Sequence, residues 1–339
     1  MTDVKAAGVP GPCVSVIMAN FNGARFLAEA IDSVCNQTLA DLELLICDDA
    51  STDESAEIAA SYAAADPRIK LIRSEANAGP AAARNRAIAA ASGTWLAIMD
   101  SDDIMHPARL KTLTALAEQD RADIAADDLI VFYQDGARPS HGLLPPAYTQ
   151  KPFWADLAGF IRSNAFYSKG AGLGYLKPII LADAVRQSSC HYDETLTIGE
   201  DYDFMFRLLA AGLKYRIYLR QLYFYRKHGA SISHRLSSKA ANAMLDADRR
   251  FRSKLDDASP QVRAAFEARS QSIETVLAFN ALIEALKSGH FVSAASRILR
   301  RPRLLFLLKE PASAWFGRLR AGRRLPAGAA ARALGKVVS

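Results

Sequence analysis

Cysteine is scarce in this 339-residue chain: Cys13, Cys35, Cys47 and Cys190 are scattered and form no CxxC pair. That spacing indicates neither a zinc ribbon nor a disulfide framework, and the four read as reduced, mostly buried small hydrophobes. No apolar run reaches the roughly 18 residues of a membrane span. The opening MTDVKAAGVPGP lacks the apolar centre of a cleaved secretory signal, so the expected location is the cytoplasm. A GxGxxG turn is missing after the first apolar segment, where MANFNGARF holds a single glycine, which argues against a dinucleotide dehydrogenase. There is no internal repeat. The chain is 50% hydrophobic and 23% charged, the balance of a globular protein.

The net charge of +6 is unevenly spread. Arginines crowd the stretch from Arg297 to Arg324, and many acids sit in the first half and around Glu200. A tail of that kind suits an anionic partner, either a membrane surface or a nucleic acid.

Four apolar segments, CVSVIMAN, LELLICDD, RIKLIRS and TWLAIMD, alternate with four amphipathic ones, ARFLAEAIDSVCNQ, STDESAEIAASYAAA, GPAAARNRAIAAAS and HPARLKTLTALAEQ. Ser51 or Thr52 is the expected cap of the second helix. Strands apolar on both faces, alternating with helices, predict an α/β fold with a mostly parallel, doubly wound, Rossmann-like sheet. After about residue 135 turn formers dominate, and the pattern predicts loops rather than new sheet layers. DYDFMFRLLAAG reads as a helix, KYRIYL and QLYFYRKH as two strands, and the remainder from about Ser237 as helical and increasingly basic.

Ligands of such sheets bind beyond the carboxyl ends of the strands, which selects Asn20, Asn22, Asp48, Asp49 and the run Asp100 to Asp103. Asp100, Asp102 and Asp103 suit a hard divalent cation, because Mg²⁺ and Mn²⁺ take oxygen ligands and commonly join carboxylates to phosphates. An acidic turn capping the next helix is the plain alternative, and for DSDD alone the two are even. Asp48 and Asp49 alone read as an acidic loop. Glu200 and Asp201 open a helix, where the dipole favours a carboxylate.

Taken together, VSVIMANFN, LLICDDASTDES, NAGPAAARN, WLAIMDSDD, TIGEDYDFMFRLLAAG and YRKHGASIS resemble, in order, the motifs of the family 2 inverting glycosyltransferases with a GT-A fold, particularly bacterial enzymes of exopolysaccharide assembly. The resemblance covers residues 13–235. It implies a short N-terminal tail over 1–12, a glycosyltransferase domain over 13–235 with a nucleotide-binding half (13–133) and an acceptor-binding half (134–235), and a helical basic extension over 236–339.

By position, the resemblance implies that Asp49 contacts the uracil of a UDP-sugar, with Ala19 and Asn20 lining that pocket. Arg84 matches the arginine of the family's ARN motif, as a nucleotide contact or as a salt bridge inside the fold. Asp102 and Asp103 match positions that meet the ribose and a metal-bound diphosphate. Asp103 is the first choice for Mn²⁺ or Mg²⁺, Asp102 for the ribose or the metal edge, and Asp100 for support. Asp201 matches the catalytic base. His228 is a further metal candidate, set against the commoner role of a surface or packing histidine. Trp154, Phe166, Tyr167 and Tyr175 are candidates for an acceptor site.

A QxxRW motif of processive synthases does not follow the base, which implies one sugar per encounter. The family also implies a lipid-linked oligosaccharide acceptor and contact with the cytoplasmic face of the inner membrane. Arg297 to Arg324, with Leu304, Leu305, Phe306, Trp315 and Phe316, reads equally as an interfacial helix and as a solvated terminal one. A succinoglycan-type glucosyltransferase using UDP-glucose is the finer expectation. The rival from another class is a non-catalytic basic protein that binds membrane or nucleic acid on a nucleotide-sugar scaffold. Nucleic acid is not an expected partner, because the arginines stay in the tail without a readout motif. A glycoside hydrolase would not need acids at successive strand tips.

Overall fold

The computed structural model describes residues 11–136, 138–167, 172–229, 236–253 and 258–308. The chain divides into two compact units, Met1–Phe160 with Ala171–His228, and Ile161–Gly170 with Gly229–Ser339.

In the first unit the elements run β1 (Val14–Asn20), α1 (Ala24–Cys35), β2 (Leu42–Asp48), α2 (Ser55–Ala65), β3 (Ile69–Arg73), α3 (Pro80–Ala90), β4 (Trp95–Asp100), β5 (Ile104–Met105), α4 (Arg109–Asp120), β6 (Ile124–Tyr133), β7 (His141–Gly142) and β8 (Phe153–Ala155). After α5 (Leu157–Ser163) come β9 (Ile179–Leu181), α6 (Ala182–Ser188), α7 (Glu200–Ala210) and β10 (Tyr215–Lys227). The strands form one sheet in the order β3-β2-β1-β4-β9-β6-β10-β5. β1, β2, β3 and β4 pair in parallel. β2 is buried along its whole length and β1 at all but one position, as expected for strands covered on both faces.

Three features depart from the sequence reading. Residues beyond 135 do add strands, all to this same sheet: β9 runs antiparallel between β4 and β6, and β7 and β8 pair at the margins. With two or three residues each, they are too short for a period to show. Tyr215–Lys227 is one strand rather than two, with register shifts around Gln221 where exposed polar residues break the alternation. The second helix begins at Ser55, and its N-cap position is Glu54. The Ser51 hydroxyl donates instead to Asp48 Oδ1 (2.6 Å), and that of Thr52 bonds Asn22 Oδ1 (3.3 Å).

Two sets of buried charges inside this unit are partnered. Glu43 of β2 accepts from Ser15 Oγ (2.6 Å), Ser92 N (2.7 Å) and Lys70 Nζ (2.7 Å). Burial opposes its ionisation, but Lys70 and these serine donors win and hold the carboxyl at about 2. Arg109 of α4 bonds Asp127 of β6 through Nε (3.0 Å) and Nη2 (2.8 Å), with both side chains fully enclosed.

The second unit contains α8 (Ser238–Arg252), α9 (Pro260–Lys287), α10 (Phe291–Arg300) and α11 (Leu304–Leu307). Ser237 and Ser259 cap α8 and α9 through their hydroxyls. Phe279, Leu282 and Ile283 of α9 form a core with Ala294 of α10 and Leu304 of α11. Residues 161–170, expected within the acceptor-binding half, group with this unit. None of the described helices is long and apolar enough to cross a membrane.

Candidate active site

The parallel pairing aligns Asn20 with Asp48 and Ala19 with Asp100, so the polar residues at the ends of β1, β2 and β4 are neighbours. Asn20 is 3% exposed; its Nδ2 donates to Asp48 Oδ1 (2.9 Å), while its buried Oδ1 accepts no hydrogen bond from a described residue. A Cβ at position 23 would stand 2.3 Å from that same oxygen and would displace the Asn20 amide. Ala19 is half-buried beside it. Asp49 Oδ2 accepts from the backbone N–H groups of Ala78 (3.0 Å) and Gly79 (2.7 Å), and its Oδ1 pairs with Arg86 (3.2 Å). Its carboxylate therefore moulds the entry to α3; Oδ2 has both lone pairs engaged, and Oδ1 retains one for a further donor.

Arg84 does not reach Asp49; Arg86, two positions on, does. The buried Arg84 guanidinium lies among carboxylates of the fold: Asp100 at 2.8 Å, Glu200 at 2.8 Å and Asp201 at 3.5 Å. Sequence reasoning missed Lys177, which is 5% exposed and bridges Asp100 (2.6 Å) and Asp201 (3.0 Å). Its only sequence signal is a lone lysine inside the apolar LGYLKPII. Burial disfavours the charge on Arg84 and Lys177, but Asp201 and Asp100 outweigh it and raise both pKa values well above their ordinary ones. Asp100 answers in kind: against its own burial, Lys177 and Arg84 hold it at about 2.

The next two acids are treated differently. Asp103 is fully buried and accepts from the Tyr223 hydroxyl (2.7 Å) and from Arg226 N (2.8 Å). Burial first, then the charges of Asp102 and Asp100, push its carboxyl well above the usual range. Asp102 Oδ2 meets His228 Nε2 at 2.9 Å, and the histidine ring packs on Phe26 at 4.6 Å. One carboxylate oxygen from each of Asp100, Asp102 and Asp103 lies within 4.8 Å of the others. Arg226 holds this loop from behind: its Nε donates to the Asp102 carbonyl (2.7 Å), and its Nη2 pairs with Glu29 (2.6 Å). It too was missed.

Glu200 and Asp201 open α7 after Gly199, whose φ of +85° is the left-handed conformation glycine tolerates. Glu200 is committed to Arg84; burial and the adjacent Asp201 raise its pKa despite that arginine. Asp201 Oδ2 accepts from Lys177 Nζ, while its Oδ1 accepts no hydrogen bond from a described residue. The carboxylate thus has accepting capacity to spare. The carboxylates of Asp100, Asp102 and Asp103, the last buried and the other two partly exposed, offer closely spaced oxygen donors that fit a hard divalent cation.

Of the aromatic candidates, Trp154 lies opposite Arg216 at the start of β10, on the order of 30 Å along the strand from Arg226, so it is not part of this cluster. Tyr175 is 49% exposed, two residues from Lys177. Phe166 and Tyr167 belong to the second unit. There, Leu305 and Phe306 are exposed and Leu304 is buried. Trp315, Phe316 and the arginines to Arg324 lie outside the described residues, as do 1–10, 168–171 and 230–235.

The family model Glycosyl transferase family 2 matches residues 15–176. The chain is 33% identical over 312 residues to succinoglycan biosynthesis protein ExoO of Rhizobium meliloti, covering 91% of this chain and 88% of that protein. It is 35% identical over 206 residues to ExoU of the same organism, covering 60% and 59%. Among solved structures, S. aureus TarS 1–349 in complex with UDP superposes with a TM-score of 0.58 at 17% identity, over 96% of this chain and 89% of that one. TarS 1–349 in complex with UDP-GlcNAc gives 0.57 at 18%, over 87% and 75%. At such identities the likeness concerns the fold, which is GT-A.

Proposed function

The chain belongs to glycosyltransferase family 2, and from that premise we propose that it transfers one hexose, glucose from UDP-glucose, to a lipid-linked oligosaccharide in exopolysaccharide assembly, with inversion of configuration. One observation carries the site assignment: Asp201, the proposed base, is joined through Lys177 and Arg84 to Asp100, at the tip of the strand that leads into Asp102 and Asp103. Base and diphosphate seat therefore belong to one buried network.

In this reading Asp49 meets the uracil N–H, with Ala19 and Asn20 beside it, and the buried Asn20 Oδ1 offers an acceptor in the same wall. Asp102 meets the ribose. Asp102, Asp103 and His228 would hold Mn²⁺ or Mg²⁺; His228 would exchange its bond to Asp102 for that role. Such an ion supplies Lewis-acid stabilisation of the departing diphosphate. Arg84 serves the donor side indirectly, by compensating the acids beneath it. Asp201 takes the proton of an acceptor hydroxyl as that oxygen attacks the anomeric carbon, opposite the departing UDP. The oxygen–carbon bond forms while the carbon–phosphate-oxygen bond breaks, so configuration inverts in one displacement.

The names of the two succinoglycan relatives support a place in exopolysaccharide assembly; the lipid-linked acceptor, and work at the cytoplasmic face of the inner membrane with 236–339 as the peripheral contact, are part of the same proposal. The exposed Leu305 and Phe306 among arginines support that contact. The donor class is supported by the UDP and UDP-GlcNAc complexes of the fold neighbours. Nucleic acid has no place in this reading. The test is a panel of UDP-sugars with and without Mn²⁺, read first as a rise in melting temperature and then as sugar transfer to lipid-linked intermediates. UDP-glucose and Mn²⁺ should stabilise together; if no nucleotide sugar binds, the proposal falls.

A further inference from the structure

Lys177 is an expensive residue to keep. An ammonium that is 5% exposed is retained in a fold only when paired, and an apolar side chain of similar length would ordinarily be cheaper than a buried ion pair. Its backbone is nevertheless fixed on both sides. The Lys177 carbonyl accepts from Arg109 Nη2, and Arg109 is locked to Asp127 in the fully buried pair between α4 and β6. The Pro178 carbonyl accepts from Ile98 N (3.0 Å), and β9 then pairs with β4 in the register Trp95 to Leu181. The Arg109 guanidinium also lies 4.8 Å from the Tyr223 ring, whose hydroxyl donates to Asp103. One rigid framework thus supports the Asp103 carboxylate and aims the Lys177 ammonium between two others.

We propose that Lys177 is a positioning residue for transfer: bridging Asp100 Oδ2 at 2.6 Å and Asp201 Oδ2 at 3.0 Å, it fixes the base at the start of α7 relative to the loop that seats the diphosphate. The inference rests on the reading of Asp201 as the base. A lysine suits this task because a compact ammonium on a flexible stem can serve two carboxylates in one tight space, where Arg84 already occupies the planar position. Orientation is the commodity at stake: a base displaced by about 1 Å can cost on the order of 100-fold in rate.

The test uses the full chain and whichever of UDP-glucose, UDP-galactose and UDP-GlcNAc gives the fastest Mn²⁺-dependent UDP release. Lys177→Met, close in length, should lower kcat roughly 10- to 100-fold while the donor KM and Mn²⁺-dependent UDP binding stay within about threefold. In an Asp201→Asn background the same substitution should cause no further loss, because it acts through that carboxylate. Lys177→Ala should recover part of its rate with methylammonium in the buffer, a response that damage to the fold would not give.

An unchanged kcat in Lys177→Met overturns the proposal, and so does an equal loss in the Asp201→Asn background or a parallel loss of UDP binding. Normal turnover by Asp201→Asn with Lys177 intact removes the base assignment itself. Absence of UDP release from all three donors removes both.

Discussion

Asp100, Glu200 and Asp201 share the guanidinium of Arg84 and the ammonium of Lys177 at 2.6 to 3.5 Å. Asp102 and Asp103, beside Asp100, form no ion pair with a lysine or arginine among the described residues, and the Asp102 carboxylate pairs with His228. The two sets have the same chemistry and adjacent positions, yet the fold compensates one and leaves the other short of positive charge. Compensation holds the Asp100 carboxyl at about 2, and the same two cations position the Asp201 carboxylate. Uncompensated carboxylates gain most from a cation that arrives with a ligand.

The strongest challenge to that contrast is Asp201→Asn. It should cut transfer by roughly 10²- to 10⁴-fold with Mn²⁺-dependent UDP affinity changed by no more than about threefold, measured as UDP release and by calorimetry. Removing a compensating cation comes next. Arg84→Met strands Glu200 in the interior and leaves Asp100 with Lys177 alone, and should cost about 3–5 kcal/mol in urea unfolding.

Glu43 calibrates what compensation is worth away from the site. Its folded pKa of about 2 lies below the ordinary value of 4.5, so its stabilisation is complete above about pH 4.5 and is lost as the pH falls toward 2. Glu43→Gln should remove about 2–3 kcal/mol at pH 7 and flatten the acid limb of the stability profile. The smallest effect has the opposite sign. Asp103→Asn can still accept from Arg226 N and donate to the Tyr223 hydroxyl, and it removes a buried charge. It should raise unfolding stability by about 1 kcal/mol while abolishing the extra Mn²⁺ stabilisation by UDP. A destabilised Asp103→Asn would break the contrast.

The parallel half of the fold was legible because strands covered on both faces must be apolar, and β1, β2 and β4 are. β6 was passed over because Asp127 and Asp128 interrupt its apolar run; only tertiary partners, Arg109 for the first and Gln221 Nε2 at 2.8 Å for the second, make them tolerable. The strand-end acids were visible as a pattern, since the position rule for parallel sheets selects them without any contact information. Which of them would be neutralised was not visible, because the answer lies in pairs distant along the chain: Arg84 and Glu200 are 116 positions apart. Lys177 and Arg226 escaped notice for the same reason, as single cations in segments that otherwise read as apolar or aromatic.

β9 has a consequence for the order in which the chain becomes competent. During synthesis β1 to β4 and their helices can assemble from near neighbours in sequence, but the outer edge of β4 stays open until Ile179–Leu181 emerges to pair with it. Until then a row of unpaired backbone groups beside Ala97 and Leu96 is available to any other extended segment, an exposure that favours aggregation. The ribosome must deliver a three-residue strand before the outer edge of β4 is covered, and the same segment brings Lys177 to Asp100, already at the tip of β4.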